Sequence, residues 1–287
     1  MKNYLSLIKF SHTIFALPFA LVGFTIAATT HPQGDIWLKL FLVLICMVMA
    51  RSAAMAFNRY LDRDIDAVNE RTASREIPSG VISPRRALLF VTLNCAGFVF
   101  ATAFINSLCF WLSPVALLVV LGYSFTKRFT WLCHVVLGLG LALAPVGAYI
   151  AVTGSFQWIP VIYGCAVLLW TAGFDVIYAL QDETFDREHG LYSMPAFFGR
   201  GRALRISEWM HLGTGLLMVL AARLLFSEAP QTGWLLWTGT AVFLSLLVWQ
   251  HFLVKPNDLS RVNMAFFTTN GVASVIFGSM AIADLLF

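Results

Sequence analysis

Nine segments of this chain, at about residues 12–30, 36–57, 87–106, 108–126, 132–153, 158–180, 204–226, 232–254 and 264–286, are long and apolar enough to span a hydrocarbon layer of roughly 30 Å. Nothing else in the sequence limits the fold as much. Only 12% of residues are charged and 59% are hydrophobic, whereas a soluble domain carries roughly 25% charge. Too little polar surface exists to coat a water-soluble particle of 287 residues. In lipid each backbone polar group must be satisfied internally, and consecutive apolar segments of this length do that as helices. The expected fold is all-α: one domain over residues 1–287, a polytopic bundle of nine transmembrane helices. Lys2 and Lys9 before the first segment fit an uncleaved first helix better than a signal peptide, since no small-residue cleavage site follows.

The connections at 31–35, 107, 154–157 and 227–231 are short, and Pro or Gly marks several of them. Two longer ones, 58–86 and 181–203, hold Asp62, Asp64, Asp66, Glu70, Glu76, Asp182, Glu183, Asp186 and Glu188; with Asp175, these are ten of the fifteen acidic residues. They follow the second and sixth segments, a weak two-fold repeat. The cations sit on the same side: Lys2 and Lys9, Arg59 to Arg86, Lys127 and Arg128, Arg187 to Arg202, Lys255 and Arg261. The positive-inside rule then places the N-terminus and both acidic loops in the cytoplasm. The net charge of +4 reflects this loop pattern, so no nucleic-acid partner is expected. The five cysteines lie in or beside apolar stretches without a C-x-x-C pair and read as small buried hydrophobes.

The first motif is Asn58-Arg-Tyr-Leu-Asp62-Arg-Asp-Ile-Asp66. Spacing of four brings Asn58, Asp62 and Asp66 to one helical face, while Asp64 points to water. The second, Asp175-Val-Ile-Tyr178-Ala-Leu-Gln-Asp182-Glu-Thr-Phe-Asp186, aligns Asp175, Tyr178, Asp182 and Asp186. Like charges at i, i+4 destabilise a helix unless a cation binds between them. Mg²⁺ suits such oxygens, taking one or two carboxylates plus substrate phosphate oxygens. Arg71 and Arg75 after the first motif, and Lys127 at the end of the fourth segment near Tyr123, can donate to the remaining diphosphate oxygens. Arg51, seven residues before Asn58 and inside an apolar segment, needs an anion. Helix ends meeting water would explain one acidic cluster; two on one side, each beside cations, point to a diphosphate site.

Together, Asn58-x-x-x-Asp62-x-x-x-Asp66, Arg71-Thr-x-x-Arg75-x-x-Pro78-x-Gly80, Tyr123-x-x-x-Lys127-Arg128 and Asp175-x-x-Tyr178-x-x-x-Asp182-x-x-x-Asp186 resemble the UbiA superfamily of intramembrane aromatic prenyltransferases, over nearly the whole chain. The resemblance implies a helical bundle around a cavity open sideways to lipid and capped by the two acidic loops. It implies that Asn58, Asp62, Asp66, Asp182 and Asp186 hold two Mg²⁺ ions on a polyprenyl diphosphate, with Arg75, Lys127 and Tyr123 as diphosphate contacts and Asp175 near an aromatic acceptor. Many 4-hydroxybenzoate transferases carry Asp directly after the Asn, where this chain has Arg59. The stretches from Lys9 and from Asp175 look closer to a menaquinone branch acting on 1,4-dihydroxy-6-naphthoate. The acceptor therefore stays open between these two hydroxylated carboxylates, and Arg51 can pair with either carboxylate.

The expected activity is Mg²⁺-dependent prenyl transfer in respiratory quinone (ubiquinone or menaquinone) synthesis, at a bacterial inner membrane. Asp175 would orient or deprotonate the acceptor, and walls drawn from the 25 Phe, 9 Trp and 7 Tyr would shelter the allylic cation. Rival readings are a sibling transferase acting on 1,4-dihydroxy-2-naphthoate, haem or chlorophyllide, and a cation-coupled carrier. Acids gathered at one membrane face rather than the midplane weigh against the carrier. No D-G-x-x-A-R run marks a phosphatidyltransferase. The six histidines show no metal-ligand spacing and read as structural or interfacial, His12 being the one to test for a place near the expected cavity mouth.

Overall fold

A computed structural model describes residues 2–7, 15–31, 34–229 and 232–287. The regular elements of the described chain are all helices, joined by turns and loops, apart from one isolated bridge between Lys255 and Asp258. The elements are α1 (Lys2–Leu7), α2 (Leu17–Thr30), α3 (Ile36–Leu61), α4 (Arg63–Val68), α5 (Pro84–Ala103), α6 (Ser107–Thr126), α7 (Cys133–Thr153) and α8 (Trp158–Ala179). There follow α9 (Glu183–Glu188), α10 (Met194–Phe198), α11 (Arg200–Glu228), α12 (Trp234–Leu253) and α13 (Asn270–Leu286). Among the described residues, eight helical stretches are long and apolar enough to cross a membrane, and α2 is a further apolar helix of 14 residues. This agrees with the nine segments expected. Lys9 and His12 lie outside the described residues.

Five of the helices, α3, α5, α6, α8 and α10, start where a polar side chain accepts one or two of the first free backbone N–H groups. Asp35 accepts from Trp37 and Leu38 at 3.0 and 3.1 Å, and Asn106 from Cys109 at 2.8 Å. Ser83 followed by Pro84 starts α5 three residues before the apolar pattern does, because that pair suits a helix start and Arg85 and Arg86 stay exposed on the first turn. Gly154, at φ 68°, ends α7 in the left-handed region.

The central element is α8. Its Ile159, Tyr163, Val167, Trp170 and Phe174 are buried against neighbours that include Phe19 of α2 and Phe243 of α12. Two glycines let α7 and α8 approach closely: a Cβ on Gly138 would collide with the Leu168 carbonyl, and one on Gly164 would lie 2.9 Å from the Ala142 oxygen. Small residues at helix contacts are the usual means of close packing in lipid. Trp170 Nε1–H donates to Asn270 Oδ1 at 2.8 Å. The Asn270 amide donates to the Ala265 and Phe266 carbonyls, each at 3.0 Å, where a π-helical turn over Met264–Thr269 leads into α13. That turn loosens the regular hydrogen-bond ladder, and Asn270 satisfies the carbonyls involved.

The structure corrects one local expectation. Neither acidic motif lies on a continuous helix. The chain breaks at Asp62 (φ −89°, ψ 2°) between α3 and α4. It breaks again where Leu180–Asp182 tightens into a 3₁₀ turn between α8 and α9. The spacing of four survives, but each acidic row bends at its middle carboxylate.

Candidate active site

Both bent rows face one polar cavity of about 610 Å³. Asn58, Asp62 and Asp66 reach it from α3 and α4, and Asp175, Tyr178, Asp182 and Asp186 from α8 and α9. Arg51, Arg71, Arg75, Tyr123 and Lys127 line it too, so the cavity gathers all the carboxylates and cations expected to hold metal, diphosphate or acceptor.

The cations already hold the carboxylates. Asp62, almost fully buried, bonds Lys127 Nζ at 2.5 Å and Arg128 Nη2 at 2.9 Å, and accepts from Asn58 Nδ2 at 3.2 Å. Asp66 Oδ1 pairs with Arg75 Nη1 at 2.7 Å. Arg71 closes a fork on Asp182 from the opposite row, donates to Tyr178 OH at 3.2 Å, and stands 5.5 Å from the Tyr178 ring centroid. Asn69 Nδ2 also reaches Asp182, at 3.4 Å. The two acidic loops thus contact each other over the cavity. Asp64, as expected, is exposed beside Arg63.

Several polar atoms lining the cavity have no hydrogen-bond partner among the described residues: Arg51 Nε, Arg59 Nη1, Asp66 Oδ2, Ser124 Oγ and Thr171 Oγ1, all buried. Buried polar atoms are normally satisfied, and a cluster without partners around one void marks a place for a polar ligand. No three His, Cys, Asp or Glu side chains among the described residues close a metal site by themselves. That suits Mg²⁺, whose shell is commonly completed by substrate phosphate oxygens and water. The donor set is all oxygen, and Asp66 Oδ2 is free to take part, so the residues present fit this ion.

Sequence reasoning passed over three residues. Arg128, given no role of its own beside Lys127, shares Asp62 with it; its place in the Lys127-Arg128 run was the available signal. Arg59 is 5% exposed and lines the cavity, so the departure after Asn58 lies in the site itself. His134, grouped with the structural histidines, stands with Nδ1 2.7 Å from Asp175 Oδ2; nothing in its spacing signalled this, since 41 residues separate them.

A second, apolar cavity of about 340 Å³ continues from the first. Arg51, Met55, Tyr123, Leu137 and Leu141 line both. It runs between α3, α5, α6 and α7 toward Ile105, Cys109 and Phe156 at the far end of the bundle. Beside the polar cavity, Phe15, Phe174, Phe266, Phe267 and Tyr178 form an aromatic wall, with Tyr178 stacked on Phe266 at 4.2 Å.

Comparison with known proteins gives the same picture. The family model described as the UbiA prenyltransferase family matches residues 16–272. A 4-hydroxybenzoate octaprenyltransferase of Aeromonas salmonicida is 32% identical over 253 residues, 88% of this chain and 85% of its own length. A UbiA homolog from Aeropyrum pernix K1, solved in its apo form, is 32% identical with a TM-score of 0.84, covering 96% of this chain and 98% of its own. A UbiA homolog from Archaeoglobus fulgidus bound to DMAPP and Mg²⁺ shares the fold at 20% identity, with a TM-score of 0.75 over 99% of each chain.

Proposed function

Because this chain belongs to the UbiA prenyltransferase family, and is thus an integral membrane enzyme that transfers an alkyl group, we propose that it moves a polyprenyl chain from its diphosphate to a hydroxylated aromatic carboxylate in respiratory quinone synthesis. The carrier reading falls with that membership. One observation carries the proposal: a polar cavity lined by both acidic rows and their cations opens at Arg51 and Tyr123 into an apolar channel. Diphosphate head, prenyl tail and charged acceptor each have a matching surface there.

In this reading Asn58, Asp62, Asp66, Asp182 and Asp186 hold two Mg²⁺ ions with the donor, which supply positive charge to the departing diphosphate. Lys127, Arg128, Arg71 and Arg75 exchange their carboxylate partners for diphosphate oxygens, and Tyr123 adds a hydroxyl donor. As the C1–O bond to diphosphate breaks, these fixed donors stabilise the leaving anion. The aromatic wall around Tyr178 and Phe266 faces the allylic cation and keeps water away. The acceptor's ring carbon attacks C1 of that cation, a C–C bond forms, and the ring proton passes to the released diphosphate, restoring aromaticity. Asp175 orients the acceptor hydroxyl or takes its proton. Arg51, whose Nε has no partner among the described residues, binds the acceptor carboxylate. The apolar channel takes the tail without drawing it out of the bilayer.

The relatives' name favours 4-hydroxybenzoate, and Arg59 beside Asn58 keeps 1,4-dihydroxy-6-naphthoate in contention. The acidic loops face the cytoplasm of a bacterial inner membrane, where both substrates would arrive. Purified protein given Mg²⁺ and geranyl diphosphate, with each acceptor in turn, tests the reading by mass spectrometry. A prenylated carboxylate supports it; no product from any hydroxylated aromatic carboxylate refutes it.

A further inference from the structure

His134 sits at the start of α7 with a side chain only 4% exposed, directly behind Asp175, whose side chain is 23% exposed in the cavity. The Met194 backbone N–H points at His134 Nε2 at 3.2 Å. A backbone N–H can only donate, so in this geometry Nε2 faces it as the acceptor and Nδ1 is the nitrogen that donates to Asp175. Nδ1 stands 2.7 Å from Asp175 Oδ2. One carboxylate oxygen is therefore engaged from behind, while the other has no protein partner among the described residues.

The same contact joins Asp175 to the second acidic loop. Residues 192–194 cross the start of α7: Tyr192 N–H donates to the Lys127 carbonyl at 2.7 Å, and Cys133 Sγ lies 3.4 Å from the Tyr192 oxygen. Ser193 then starts α10 by accepting from Ala196 at 3.3 Å. The backbone that carries Lys127 and the imidazole that grips Asp175 thus share one short strap.

We infer that His134 is a positioning residue for Asp175, holding Oδ2 so that Oδ1 faces the acceptor, with its own ring fixed by the Met194 N–H. This rests on the proposed prenyl transfer to an aromatic carboxylate and names the part of the site that orients the acceptor. A carboxylate at the end of a rotatable side chain, on a wall otherwise formed by Thr171 and Phe174, needs such a hold. Partners that orient the ligands of a metal site typically matter by about 10–100-fold, and an effect of that order is expected for one that orients a reacting carboxylate.

Two near-isosteric changes separate the two bonds. In His134→Asn the amide nitrogen stands about where Nδ1 was, keeping the donor to Asp175. In His134→Gln the side chain reaches about where Nε2 was, keeping the Met194 contact and losing that donor. With geranyl diphosphate, Mg²⁺ and 4-hydroxybenzoate or 1,4-dihydroxy-6-naphthoate, His134→Gln is expected to lower kcat/KM for the acceptor about 10–100-fold, with the donor KM within about twofold of wild type. His134→Asn retains about tenfold more activity than His134→Gln. In an Asp175→Asn background, His134→Gln costs little more, because the histidine acts through that carboxylate. Equal losses in the two His134 variants, a parallel rise in donor KM, or losses that multiply with Asp175→Asn would overturn the inference, as would a His134→Gln enzyme indistinguishable from wild type. Wild-type protein that prenylates neither acceptor would instead refute the activity itself, and the inference with it.

Discussion

Arg71 Nε donates to Asp182 Oδ1 at 2.9 Å, although 111 residues separate the two. Burial works against the Arg71 charge, but the hydrogen bond and charge of Asp182 outweigh it, so the net shift of Arg71 is upward. The first acidic loop is thereby fastened to the carboxylate at the bend of the second. If the diphosphate is held as proposed, donor binding reopens this pair around it.

Replacing Arg71 with Ala removes both the clasp and a diphosphate donor. The KM for geranyl diphosphate should rise about tenfold, equivalent to about 1.4 kcal/mol, with a smaller change in acceptor KM. Steady-state kinetics with each substrate varied separately reads the difference. A selective rise in acceptor KM would speak against placing Arg71 at the diphosphate.

Arg51→Met removes the cation at the junction of the two cavities while keeping much of its length. Turnover of a carboxylate acceptor should fall by at least about tenfold through KM. Competition by the free acid against donor-independent ligand binding, followed by calorimetry, should weaken in step. If the variant keeps wild-type acceptor KM, the carboxylate lies elsewhere.

Much of this architecture is legible in the sequence, because a membrane span declares itself by length and apolarity alone. The expected segment 108–126 became Ser107–Thr126, and 132–153 became Cys133–Thr153. The rows of acids were legible as well, since a charge at the edge of an apolar helix is rare enough to stand out. The bends at Asp62 and Asp182 were not. A spacing of four is the same before and after a one-residue break, and neither Gly nor Pro marks either position. His134 was missed for a related reason: its partner, Asp175, comes from another helix, and only packing brings the two together.

The channel between α3, α5, α6 and α7 should set how long a tail the enzyme accepts. Ala116 of α6 lines it well away from the polar cavity. Ala116→Trp should leave geranyl diphosphate turnover within about threefold of wild type while reducing that of an eight-unit donor by at least about tenfold, roughly 1.4 kcal/mol. Chain-length competition, with products separated by chromatography, measures it; equal losses for both donors would place the tail elsewhere.

Close contact between α7 and α8 depends on Gly138, whose added side chain would meet the Leu168 carbonyl. Gly138→Val should destabilise the protein by about 1–3 kcal/mol through overpacking. Thermal unfolding in detergent, followed by intrinsic fluorescence, should show a lower midpoint. An unchanged midpoint would mean the two helices can part at little cost.

The most direct test of the whole account is Mg²⁺-dependent prenyl transfer by Asp62→Ala and Asp182→Ala, one carboxylate from the bend of each row. The account predicts that each change lowers kcat/KM by more than about a thousandfold, roughly 4 kcal/mol of transition-state stabilisation, while the protein still purifies as a folded membrane enzyme. Near-normal turnover in either variant would contradict it.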